Sequence, residues 1–141
     1  VKVEKLKQFS IFMPNKPGAL SRLASLFDER AISIVGIASE VRDDSGLVRI
    51  ALAHDADVSS LLSKAGFSSV ETPVLSVELG DKHGQLLRVA EALAEGKINI
   101  TTVYGTATSG AQTARILIAV QNIERAFDIL QAMAAAEVPR G

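Results

Sequence analysis

The chain is 141 residues long, 48% hydrophobic, 4% aromatic and 22% charged, with a formal net charge of -1. That balance withholds the attraction expected of a nucleic-acid binder, and the absence of cysteine excludes a disulfide framework and a thiolate metal site. No apolar run approaches the ~20 residues needed to span a membrane and no signal peptide is evident, so a cytoplasmic location is expected.

From the N-terminus, Gln8 to Pro14 is a short apolar run ended by turn residues. Asn15-Lys16-Pro17-Gly18 follows with turn chemistry, proline fixing one backbone angle and glycine supplying freedom. Leu20, Leu23, Ala24 and Phe27 then recur at helical spacing. Ile32 to Glu40 and Leu47 to Ala53 are β-branched-rich runs around Arg42-Asp43-Asp44-Ser45-Gly46, the pattern of a hairpin. Val58, Leu61, Leu62 and Ala65 predict a second amphipathic helix, with Asp57 as its cap and Gly66 as its stop. The same order then recurs. Leu75 to Asp81 is a strand into a turn, Leu86, Val89, Ala90 and Leu93 a helix, Ile98 to Thr106 and Thr113 to Val120 a hairpin. Ile123, Ala126, Phe127, Leu130 and Met133 make the last helix.

The recurrence is a displacement of 66 residues without a gap, and 12 of the 46 positions from 9 to 54 are identical to their counterparts. Among them are Lys16/Lys82, Gly18/Gly84, Leu20/Leu86, Arg22/Arg88, Ile34/Ile100 and Arg49/Arg115. One unit is used twice, so two domains are expected, 1–72 and 73–141. Only about five residues follow the last helix and Pro139 makes them a poor strand, so the second copy lacks a final strand of its own. Residues 1–7 are expected to supply it and complete the sheet of the second domain. Units this small bury too little surface to be robust alone.

The turn Asn15-Lys16-Pro17-Gly18-Ala19-Leu20 with Ala31-Ile32-Ser33-Ile34 after its helix, and Asp81-Lys82-His83-Gly84-Gln85-Leu86 with Lys97-Ile98-Asn99-Ile100, resemble the ACT domain. The likeness covers nearly the whole chain. It implies an α+β fold, two tandem ferredoxin-like βαββαβ units with antiparallel sheets and helices on one face, and the binding of amino acids or related effectors. His83 departs from the family's proline and leaves the second turn looser, and Ser33 departs from its asparagine.

The turns also have a physical reason to bind. A helix starting just after glycine leaves its first N–H groups unpaired, with the positive end of the dipole behind them, and a carboxylate fits there. Gly18 and Gly84 carry no side chain to block it, while Asn15 or Asp81 can accept from the ligand's ammonium. Against this stands the commoner use of such residues, a capped helix and a plain turn. The candidate ligand-binding residues are Met13, Asn15, Pro17, Gly18, Ala19, Leu20 and Ile34 in the first copy. Their counterparts are Leu79, Asp81, His83, Gly84, Gln85, Leu86, Asn99 and Ile100. Met13, Ile34, Leu79 and Ile100 point to a pocket for an apolar or small side chain, such as that of a branched-chain amino acid.

Other polar residues carry less. His54 beside Asp55 and Asp57 has no third ligand in view, Arg49 and Arg115 read as residues of a solvated sheet face, and Tyr104 as a partly buried strand residue. Gly105 to Gly110 lacks the Lys-Ser/Thr helix of a phosphate loop and reads as a hairpin turn. No nucleophile elbow, paired carboxylates, metal cluster or dinucleotide fingerprint is present, so neither catalysis nor a cofactor is expected. The expectation is an amino-acid-binding regulatory protein that acts in trans on a metabolic enzyme, with a homodimer among its expected assemblies. The alternative is a ligand-free interaction module. A ferredoxin-like RNA binder is disfavoured by the low aromatic content and the lack of a basic patch.

Overall fold

The computed structural model describes residues 1–14, 16–42, 45–52, 57–80, 84–107 and 113–137. Its elements are β1 (Lys2–Pro14), α1 (Ala19–Glu29), β2 (Gly36–Arg42), β3 (Ser45–Leu52), α2 (Val58–Lys64) and β4 (Ser68–Gly80). They are followed by α3 (Gln85–Glu95), β5 (Ile100–Ala107), β6 (Thr113–Val120) and α4 (Ile123–Ala136). The residues form two compact units, one being Lys7–Thr72 and the other Val1–Leu6 together with Pro73–Gly141.

In the unit Lys7–Thr72, β3 lies between β2 and β1 and is antiparallel to both. Period-2 alternation puts Phe9, Ile11 and Met13 of β1 on one face, and the register sets Phe9 against Ile50 and Ile11 against Val48 of β3. That face meets Leu23 and Phe27 of α1 and Val58 and Leu62 of α2 in one apolar core. Leu23 and Phe27 are four apart and so share one side of α1, each stabilising the fold by about 1.5–3 kcal/mol through burial.

The second unit repeats the plan. β6 lies between β4 and β5, Leu75 faces Ile118 and Val77 faces Ile116, and β5 carries a register shift between Ile100 and Thr102. Val89 and Leu93 of α3 and Ala126 and Leu130 of α4 close its core, which also contains Val3. Lys5 belongs to the same unit, where its ammonium pairs with Glu124 at 2.6 Å and sits 4.7 Å from the Phe127 ring centroid. Each unit is thus antiparallel strands with helices on one face, the α+β ferredoxin-like arrangement.

The identical pair Arg22/Arg88 ties each first helix to the end of the second helix of its unit. Arg22 lies 4.4 Å from the Phe67 ring centroid and donates to the Ala65 carbonyl at 3.5 Å. Arg88 reaches Glu137 at 2.7 Å, a close ion pair that is not aligned as a hydrogen bond. Both first helices end alike. Ala31 and Lys97 have φ of 54° and 58°, and the next residues donate back, Ile32 to the Phe27 carbonyl and Ile98 to that of Leu93. This is a helix closure in the left-handed conformation, normally a glycine position.

The closure displaces two strand expectations. Ile32 to Val35 is not strand, because Ile32 is spent closing α1 and turns into the core, and β2 begins only at Gly36. Likewise β5 starts at Ile100 rather than Ile98. β1 joins the segment expected to complete the second domain and the run Gln8 to Pro14 in one strand of 13 residues, and β4, also 13 residues, begins at Ser68, well before Leu75.

Candidate functional site

The four helices begin in two ways. Asp57 accepts from the Ser60 N–H at 3.1 Å and caps α2, and Asn122 accepts from the Arg125 N–H at 3.2 Å and caps α4. α1 and α3 start after Gly18 and Gly84, both at φ 89°, and among the described residues no side chain caps either. Only glycine takes that backbone conformation without strain, which explains why both copies have it. Gly18 accepts from the Arg22 N–H at 3.0 Å and Gly84 from the Arg88 N–H at 3.1 Å, the first bond of each helix. Among the described residues the positive end of each dipole therefore has no side-chain acceptor.

In the unit Lys7–Thr72 the start of α1 meets a cavity. Its volume is about 140 Å³, and Met13, Lys16, Ala19 and Leu20 line it together with Ser39 and Val41 of β2 and the start of β3. Met13 is buried, Ala19 partly buried, and Leu20 half exposed at 52%. A larger cavity of about 590 Å³ shares Met13, Pro14, Glu40, Gly46 and Leu47, but its lining adds Phe12 and Ser45 and no residue of α1. The ligand question attaches to the smaller one, because that is where the helix N-terminus and apolar side chains meet.

The expected residues divide accordingly. Met13, Ala19 and Leu20 come together. Pro17 and Gly18 shape the turn without lining the cavity, and Ile34 sits exposed between α1 and β2. In the other copy Leu79 is buried in the core, Leu86 and Asn99 are exposed, Ile100 opens β5, and Gly84 precedes α3. Gln85 is the first residue of α3, and its side-chain oxygen is buried without a hydrogen-bond partner among the described residues. Asn15, Asp81 and His83 lie outside the described residues, as do His54 and Asp55.

Sequence reasoning passed over Lys16 as a lining residue and the contribution of the β2–β3 hairpin. The register pairs Gly46 with both Met13 and Val41, which brings the hairpin beside the turn. Nothing local in Ser39, Val41 or Gly46 announces that placement. Arg49 and Arg115 are not bare surface charges. Arg49 pairs with Glu40 at 2.8 Å and Arg115 with Glu78, its cross-strand neighbour, at 2.9 Å. Among the described residues no group of His, Asp and Glu could hold a metal ion, and no helix is long and apolar enough to cross a membrane.

Two ferredoxin-like units, each with its first helix starting after a left-handed glycine, define a tandem α+β protein. The family described as an ACT domain pair matches residues 4–135, and the chain belongs to it. ACT domains are regulatory modules that bind amino acids, and they are not catalysts. Solved structures of similar fold include protein BT0572 from Bacteroides thetaiotaomicron, with 21% identity, 94% of this chain and 90% of that one covered, and a TM-score of 0.83. The ligand-free regulatory subunit of aspartate kinase from Thermus thermophilus is similar at 16% identity over 93% of this chain and 94% of that one, with a TM-score of 0.67. The corresponding subunit from Thermus flavus follows at 15% identity over 93% and 94%, with a TM-score of 0.62. These likenesses establish the fold. No curated protein matches the sequence.

Proposed function

We propose that the protein binds a free amino acid with an apolar side chain and regulates, in trans, an enzyme of amino-acid metabolism. The observation that carries this reading is the cavity at the uncapped start of α1. The Ala19 N–H donates to the Lys16 carbonyl at 3.4 Å, so the ligand carboxylate sits at the N–H groups that follow it in the first turn of α1, assisted by the Lys16 ammonium, and its side chain lies against Met13, Leu20 and Val41. Glu40, also in the lining and held through one oxygen by Arg49, offers its other oxygen to the ligand's ammonium. Gly84, Gln85 and Leu86 form the corresponding position in the second copy, where the unpartnered Gln85 oxygen is the acceptor. Proline at position 17 fixes one backbone angle of the first turn and histidine stands at the equivalent position 83 in the sequence, so the first site is expected to bind more tightly. The fold shared with aspartate kinase regulatory subunits supports a metabolic enzyme as the target.

Half-exposed Leu20 and Leu86 at the two turns favour the second reading, a ligand-free interaction surface. Thermal unfolding with a panel of amino acids separates the two. A ligand bound only by the folded state at 100 times its Kd adds about 2.7 kcal/mol, and an apolar member of the panel is expected to raise the Tm by several degrees. No shift with any amino acid leaves the interaction reading.

A further inference from the structure

The amino-acid reading makes no use of the cavity of about 590 Å³ in the unit Lys7–Thr72, whose lining includes part of the sheet face turned away from the helices. Ile11, Met13 and Val48 lie in the core, so their strand neighbours Phe12 and Leu47 point to the other face. The register sets Phe12 opposite Leu47 and Leu47 opposite Glu40, one row across β1, β3 and β2. Phe12 is 55% exposed. The second unit shows that the fold does not need an exposed aromatic there. At the equivalent place, 66 residues on from Phe12, stands Glu78, whose cross-strand neighbour is Arg115, and the two form an ion pair at 2.9 Å. Where one copy has an ion pair, the other has an apolar floor beside a carboxylate.

We propose that this cavity binds an aromatic amine, a flat ring joined by a short arm to an ammonium group. Among the described residues, Glu40 is the one ionisable side chain of the lining, and α1 contributes no N–H group that would favour a carboxylate. The occupant is therefore a cation and not a zwitterion. Its ring lies over Phe12 and Leu47, while Arg49 holds one Glu40 oxygen at 2.8 Å and leaves the other for the ammonium. Phe12 and Glu40 are two strand spacings apart, about 10 Å, a distance that a bicyclic ring with a two-carbon arm spans. The volume is that of a small-molecule pocket. Glu40 lines the smaller cavity too, so one ammonium at a time can take that oxygen. The assignment goes beyond the amino-acid reading.

Tryptamine is the probe. The chain has no tryptophan, so the anisotropy of the probe's own indole fluorescence reports binding to the full-length protein. Saturable binding is expected, with indole, which lacks the ammonium, and butylamine, which lacks the ring, each competing about tenfold or more weakly. Phe12→Thr is expected to weaken tryptamine binding about tenfold. The same loss is expected of Phe12→Glu combined with Leu47→Arg, which copies the ion pair that the second unit already folds around. No saturable binding of tryptamine, indole or butylamine competing as strongly as tryptamine itself, or folded Phe12 variants that bind it unchanged would each overturn the assignment. Phe12 does not line the smaller cavity, so Tm shifts with amino acids decide that reading separately.

Discussion

Ala31 and Lys97 hold the same left-handed backbone, φ 54° and 58°, at equivalent positions of the two copies. Neither is glycine, although such a conformation costs an L-residue about 1–2 kcal/mol, partly offset because glycine loses more freedom on folding. Ala31→Gly is therefore expected to stabilise the protein by about 0.5–1 kcal/mol, read as a higher denaturant midpoint at unchanged slope. Gly18 presents the opposite case. A Cβ there meets nothing within 4 Å, yet φ 89° strains any side chain. Substituting Gly18 thus mixes backbone strain with obstruction, and Leu20 is the better place to test the cavity.

At the scale of elements, the helices were legible because Leu20, Leu23, Ala24 and Phe27, and Ile123, Ala126, Phe127 and Leu130, combine spacings of three and four that a strand cannot keep on one face. The caps Asp57 and Asn122 likewise act where local chemistry places them. The continuity of β1 was not legible, since residues 1–7 and Gln8 to Pro14 read as separate strand segments and not as one. Val3 and Leu6 are both buried but three apart, a spacing that period-2 alternation cannot put on one face. Ile32 to Val35 misled in the other direction, since β-branched residues there close a helix instead of opening a strand. Of the candidate site, the turn and its glycines were readable, while the hairpin wall was not, because pairing of Met13 with Gly46 is a matter of register across a long separation. Leu20→Glu exploits the helix directly. A carboxylate in the first turn of α1 complements the dipole and is expected to raise stability by about 0.3–1 kcal/mol, while its charge opposes a ligand carboxylate at the same N–H groups. Thermal unfolding of this variant without ligand checks the first half of that statement.

At the scale of the molecule, the chain returns to its beginning, since Val1–Leu6 groups with Pro73–Gly141 and Val3 lies in that unit's core. We expect this segment to serve as a strand of the second unit. Deleting residues 1–6 then costs at least the burial of Val3, about 1.5–3 kcal/mol, and lowers hydrogen-exchange protection across β6, and unchanged protection there would make the segment a mere tail. The duplication leaves the two turns unlike, with proline at position 17 and histidine at position 83, and the two proposed sites are expected to differ in affinity. Calorimetric titration of apolar amino acids into the unmodified protein and into Leu20→Glu, side by side, tests the central claim most directly. The account predicts saturable binding to the unmodified protein and loss of the tighter site in the variant. No binding to the unmodified protein, or equal binding to both, would contradict it.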